Sequence, residues 1–155
     1  MIGEIVRHGM TVPPRPKAPR AGQQSSAFTK GSRARLLIVE DDYLVGMTVE
    51  ATLVDAGHEV LALVTTGEEA VTKGIKLRPD LVLMDIRLAG EMTGIEAAIE
   101  LRAAGIPSLF ASAHSDPATK ASGEEAEPLG WLAKPFTSSG LSSAVDTALA
   151  RLRRH

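Results

Sequence analysis

The sequence has no cysteine. That excludes a disulfide framework and thiolate metal sites, and it fits a reducing compartment. Aromatic residues make up only 3% of the chain, so any core must be built from aliphatic side chains. No apolar stretch approaches the roughly 20 residues that a membrane helix needs. The first residues lack the apolar centre of a secretory signal. Internal repeats are missing too. These absences predict a cytoplasmic protein with no membrane association. The 155 residues suffice for one domain with one core.

What charge there is lies unevenly. Residues 1–34 carry Arg7, Arg15, Lys17, Arg20, Lys30 and Arg33 against Glu4 alone, a balance of +5. The whole chain carries −2, so residues 35–155 carry −7. An acidic body argues against direct nucleic-acid binding. The first segment is rich in Pro, Gly, Ser and Gln and shows no periodicity, so 1–34 is expected to be a flexible basic tail. The folded domain is expected over 35–155.

From Arg35 onward, strand-like and helix-like segments alternate. Leu36–Val39 is a continuous apolar run, as a strand buried on both faces should be. A helical pattern covers Tyr43–Ala56, with Gly57 placed to end it in the left-handed conformation. Val60–Val64 reads as a second strand. Thr66 and Glu69 have capping-box spacing and predict a helix start. Pro79 stops that helix, and Leu81–Met84 is a third strand. Thr93 and Glu96 repeat the spacing. Ile95, Ala98, Ile99 and Arg102 then share one expected helical face, and Gly105 closes the helix. Pro107–Ala111 is a fourth strand. Asp116 can cap a short helix with Pro117 in its first position. Trp131–Ala133 is a brief fifth strand. The last helix carries the stripe Leu141, Ala144, Val145, Ala148, Leu149 and Leu152. This alternation predicts an α/β fold with a single doubly wound parallel sheet of five strands.

Five polar residues sit at the ends of the apolar runs: Glu40, Asp41, Asp85, Ser112 and Lys134. In a parallel sheet these ends share one edge, where open α/β sheets bind ligands. Gathering three carboxylates there is costly. Two like charges about 4 Å apart repel by roughly 1 kcal/mol in water and roughly 4 kcal/mol at an effective dielectric near 20. A bound Mg²⁺ accounts for the cluster, since it is a hard cation that takes oxygen ligands. With Mg²⁺ and Lys134 the three carboxylates sum to zero, so an incoming phosphoryl group meets no net repulsion. Ser112 supplies a hydroxyl that can donate to a phosphoryl oxygen. Asp42 is read as a solvated helix-start residue.

These segments carry a family resemblance. Leu36-Leu37-Ile38-Val39-Glu40-Asp41-Asp42, Leu81-Val82-Leu83-Met84-Asp85-Ile86, Ala111-Ser112-Ala113 and Leu132-Ala133-Lys134-Pro135-Phe136 occur in this order. Over roughly Arg35 to Arg154 the chain resembles the receiver domain of two-component response regulators. The resemblance implies a flavodoxin-like sheet of order 2-1-3-4-5. It implies that Asp85 accepts a phosphoryl group from a sensor histidine kinase or a histidine phosphotransfer protein. Asp41, Asp85 and the Arg87 backbone carbonyl would hold Mg²⁺ directly, and Glu40 through a water. Lys134 and Ser112 would contact phosphoryl oxygens. Ser112 and Trp131 would form the switch that alters the face of the fourth helix, fifth strand and fifth helix. A cis peptide between Lys134 and Pro135 is also implied. The resemblance makes the protein a phosphoacceptor that promotes its own phosphorylation and dephosphorylation without turning over a substrate. With no output domain after the fifth helix, it is expected to stand alone. The downstream target is unknown.

Departures from the family pattern are specific. The loop Leu88-Ala89-Gly90-Glu91-Met92-Thr93-Gly94 is one residue longer than the common form and lacks its proline. Arg87 and His114, two residues past Asp85 and Ser112, are bulky and potentially cationic, and are expected to modulate the lifetime of the acyl phosphate. Two other classes fit less well. A metal-dependent phosphatase using Asp85 as nucleophile would carry a second acid where Arg87 stands. A flavin carrier would need a phosphate-cradling loop after the first strand, where Glu40-Asp41-Asp42 would repel phosphate.

Overall fold

The three central strands bury both faces, and the period of two divides their side chains between two cores. In the computed structural model, which describes residues 33–154, β1 (Arg35–Val39) sends Leu36 and Ile38 to one core and Leu37 and Val39 to the other. β3 (Leu81–Met84) repeats the division, with Leu81 and Leu83 on the first side and Val82 and Met84 on the second. β4 (Ser108–Ser112) sends Leu109 and Ala111 one way and Phe110 the other. β2 (Glu59–Val64) and β5 (Trp131–Ala133) form the edges and are less buried. All pairings are parallel, in the order β2-β1-β3-β4-β5. The expected α/β sheet and strand order are therefore observed.

Helices cover both faces. α1 (Tyr43–Asp55) and α5 (Ser138–Arg153) pack on the first core through Val49 and Leu53, and through Leu141, Val145, Ala148 and Leu149. α2 (Gly67–Leu77) and α3 (Gly94–Ala103) cover the second through Ala70, Ala97, Ala98 and Leu101. α4 (Pro117–Gly123) is short and runs into a 3-10 turn, Glu124–Ala126. Asp42, Thr66, Thr93, Asp116 and Thr137 cap the five helices with side-chain acceptors. The full capping box forms only at Thr93 and Glu96. At Thr66 the Glu69 carboxylate accepts from the threonine hydroxyls of residues 65 and 66 instead of reaching back to the cap amide.

The buried stripe of α3 is Gly94, Ala97, Ala98 and Leu101. Ile95 and Ile99 flank it, and Arg102 lies exposed at the rim, paired with Glu127. Alanines allow the helix to approach the sheet closely, and Leu101 then fills the space left by Gly74 of α2. Gly57 and Gly105 adopt the left-handed backbone expected of them, with φ of +96° and +83°. The basic tail falls almost wholly on residues 1–32, outside the described residues. Within the described residues Ala34 is already buried against β2.

Candidate functional site

Ladder hydrogen bonds carry the polar residues to one edge. The Asp85 amide donates to Val39 O (3.0 Å) and the Glu40 amide to Val64 O (2.9 Å). Asp85 therefore leaves β3 beside the point where Glu40 leaves β1. The Lys134 amide donates to Ser112 O (3.1 Å), which sets Lys134 beside β4. The Lys134–Pro135 peptide is cis.

The side chains then meet. Lys134 Nζ donates to Glu40 Oε2 at 2.5 Å and to Asp85 Oδ2 at 3.0 Å. Oδ1 of Asp85 accepts from the Ile86 amide at 2.7 Å, and Oε1 of Glu40 accepts from the Asp42 amide at 3.2 Å. Asp85 and Glu40 are 8% and 6% exposed, which places two carboxylates in a poorly solvated setting. Burial pushes the Glu40 carboxyl up to about 7, against the lowering pull of its bond to Lys134 and with added repulsion from Asp85. Burial alone would lower the Lys134 ammonium. Its bonds to Glu40 and Asp85, and their charge, outweigh that and raise it. Lys134 is thus a fixed cation between two acids.

Asp41 lies exposed at the mouth of the same cluster. Oxygens of Glu40, Asp41 and Asp85 lie within 4.8 Å of one another. An all-oxygen donor set with water access at Asp41 suits a hard divalent cation. Gly94 closes the floor. Its amide donates to Ile86 O at 2.7 Å, and a Cβ there would overlap the Asp85 carbonyl oxygen. Sequence reasoning did not single out Gly94, because its neighbour in space is nine residues away along the chain.

The remaining residues surround this centre. Ser112 is 2% exposed, and its hydroxyl accepts from the His114 amide at 3.0 Å. No hydrogen bond joins the Ser112 hydroxyl to Asp85 or to the Lys134 side chain among the described residues. Arg87 is exposed and His114 half-buried. Trp131 is half-buried on the second core, 4.7 Å between centroids from Phe110, with Lys120 Nζ 5.8 Å from its ring. Gly123 of α4 leaves the space that the indole fills.

A buried acid held by a lysine at the C-terminal edge of a 2-1-3-4-5 sheet has known counterparts. The family model for the response regulator receiver domain matches residues 36–146. The chain belongs to the receiver family. The receiver is 35% identical over 116 residues to the phyllosphere-induced regulator PhyR of Methylorubrum extorquens, covering 74% of this chain and 43% of PhyR. It is 35% identical over 122 residues to the transcriptional regulatory protein PdtaR of Mycobacterium tuberculosis, covering 77% of this chain and 58% of PdtaR. Among solved structures it resembles the signal receiver domain of a modulated diguanylate cyclase from Desulfovibrio desulfuricans. That likeness has a TM-score of 0.72 and 34% identity, covering 79% of this chain and 98% of that one. The receiver spans about half the length of the curated relatives it matches. No helix among the described residues is long and apolar enough to cross a membrane.

Proposed function

We propose that this receiver accepts a phosphoryl group on Asp85 from a phosphohistidine, in a Mg²⁺-dependent reaction, and signals through protein contacts. The observation that carries this reading is the placement of Asp85. It is buried, yet one carboxylate oxygen is held by the Ile86 amide and the other by Lys134. Such a group is aimed and cannot rotate freely.

Asp85 attacks phosphorus in line, the O–P bond forming as the P–N bond to the donor histidine breaks. Lys134 must release part of its hold on the Asp85 oxygen and follow charge onto the transferring group. Positioning and charge neutralisation supply most of the acceleration, because phosphoryl transfer asks little covalent chemistry of the protein. Asp41, Asp85 and the Arg87 carbonyl would hold Mg²⁺, with Glu40 acting through a water. The ion would supply charge neutralisation at the phosphoryl oxygens. The ion's charge would favour the ionised form of Glu40, against the burial that raises its carboxyl.

Ser112 would give up its bond from the His114 amide and donate to a phosphoryl oxygen. Trp131 would then change its packing on Phe110, altering the face of α4, β5 and α5. These steps make a two-state element biased by a local charge change. The protein is read as a signalling phosphoacceptor of the cytoplasm, not a turnover enzyme, standing alone or as part of a longer regulator. The donor would be a sensor histidine kinase or a histidine phosphotransfer protein. A donor protein must bring its histidine to Asp85, so its docking surface must border the site. A groove of about 430 Å³ lined by Val45, Val49, Pro135 and Phe136 does so, and α1 leaves Tyr43, Leu44 and Met47 exposed beside it.

The test is incubation with Mg²⁺ and acetyl phosphate, followed by intact mass and Trp131 fluorescence. Wild type should gain one phosphoryl group and change its emission. Asp85→Asn should do neither. Labelling that survives in Asp85→Asn would remove the reading.

A further inference from the structure

The loop between β3 and α3 spans residues 85–93 and contains no proline. It carries Arg87, leaves the sheet at Asp85 and returns at Gly94, and no pyrrolidine ring stiffens it. In the structure it is not left unsupported. The N-terminus of α2, on the neighbouring unit, reaches across to it at three points.

The first point is Glu68. Its Oε2 accepts from two successive loop amides, Glu91 N and Met92 N, each at 3.3 Å. The second is Gly90, with φ of +89°. A Cβ at Gly90 would lie 3.0 Å from Glu68 Oε1, so glycine is needed both for the backbone and for the approach of the carboxylate. The third is the backbone itself. Thr66 and Ala89 form a parallel bridge, and Gly67 is pressed on Met92, where a Cβ would lie 3.0 Å from the Met92 carbonyl oxygen. Thr66, which caps α2, and the first two residues of that helix thus hold four consecutive residues of the loop.

We infer that Glu68 is a positioning residue for the metal and phosphoryl site, a strut from α2 that replaces the missing proline. This rests on the reading of Asp85 as the phosphoacceptor and of the Arg87 carbonyl as a ligand. Glu68 touches neither. It acts by fixing the backbone between the two ends of the loop, so that the Arg87 carbonyl keeps its direction. Outer partners that orient a ligand commonly matter about ten- to a hundredfold in metal affinity.

The test uses the full chain and reads Mg²⁺ affinity by calorimetry, with backbone amide exchange of the metal-free protein alongside. Glu68→Ala should weaken Mg²⁺ by about tenfold, the low end for an orienting partner. Exchange at the Glu91 and Met92 amides should quicken without the metal present. Glu68→Gln keeps an acceptor oxygen and loses the charge, so it should stay near wild type. Gly90→Ala attacks the same contact from the loop side and should weaken Mg²⁺ with Glu68 intact. Wild-type affinity in Glu68→Ala overturns the inference. A loss in Glu68→Gln as large as in Glu68→Ala also overturns it, since charge and not positioning would then be at work. Failure of the phosphoacceptor reading is distinct: wild type itself would take no phosphoryl group from acetyl phosphate.

Discussion

The two edges of this one sheet use charge in opposite ways. At the edge where the strands begin, arginines point at carbonyls that lack partners. Arg35 donates to Leu77 O and Arg78 O at the end of α2, at 3.0 and 2.9 Å. Arg78 donates to Ala104 O at the end of α3 at 2.9 Å, and Arg151 bonds Leu129 O before β5. A cation at a helix C-terminus satisfies orphan acceptors and meets the negative end of the dipole. At the edge where the strands end, carboxylates face one another across a single lysine. The first arrangement stabilises. The second stores repulsion that a bound divalent cation would relieve. The same backbone supports both, so placement of function is a matter of which edge carries which charges.

That contrast can be broken from either side. Lys134→Ala should slow phosphorylation from acetyl phosphate by about a hundredfold or more, because a preorganised charge partner is lost. Arg78→Ala should leave that rate within about twofold and lower stability by about 1 kcal/mol, for a charge-assisted bond at an exposed position. Urea titration and intact mass read both. A similar slowing in Arg78→Ala would erase the distinction between the edges.

Removing charge should have opposite signs at the two edges. Asp85→Asn should abolish phosphorylation, but it also removes one of three crowded acids. The metal-free variant should therefore unfold at the same temperature as wild type or higher, as happens where a site is kept for activity at a cost in stability. A clear fall in its Tm would mean that Asp85 is held for structure.

At the far edge His58 is 5% exposed, and its Nδ1 accepts from the Ala34 amide at 3.1 Å. Burial lowers its pKa below 6.5, opposed by the charge of Asp146. The unfolded chain then binds more protons than the folded one, so stability is present above 6.5 and is lost as pH falls. Glu40 is raised from 4.5 to about 7. The folded chain then holds the extra proton, so its contribution is present below 4.5 and is lost as pH rises through about 7. The two oppose each other in metal-free wild type. In Glu40→Gln the Tm should rise as pH climbs from about 5.5 to 7, and in His58→Asn it should fall. Slopes of the same sign in both variants would reject the assignment.

The smallest expected effect concerns the rim of the site. Arg87→Ala and His114→Ala should speed loss of the phosphoryl group by exposing the acyl phosphate to water. Unchanged or slower decay would assign both side chains to solvent alone.

Much of this was legible in the chain. Leu36–Val39 and Leu81–Met84 could be read as fully buried strands because no polar residue interrupts them. The polar residue that follows each then marks the strand end. Trp131–Ala133 was readable as a strand only through its neighbours in order. The inward stripe of α3 was not assigned from the sequence, because it depends on Ala97 and Ala98, small residues that a hydrophobic pattern underweights. Gly94 and Glu68 were not legible as site residues. Gly94 meets Asp85 only where the β3–α3 loop folds back on itself, and Glu68 meets the Glu91 and Met92 amides only after a crossover sets α2 beside that loop.

By itself the sequence determined the alternation of apolar runs and caps, and with it a parallel sheet whose polar residues fall at one edge. This is local information, carried by a period of two in strands and by the residues that start and stop helices. Only the tertiary structure decided that Lys134 reaches both Glu40 and Asp85, and that α2 props the loop behind them. Those contacts join residues 94 and 49 apart for Lys134 and 23 and 24 apart for Glu68. Charge interactions at that range depend on the order in which strands are laid side by side, which no local pattern carries.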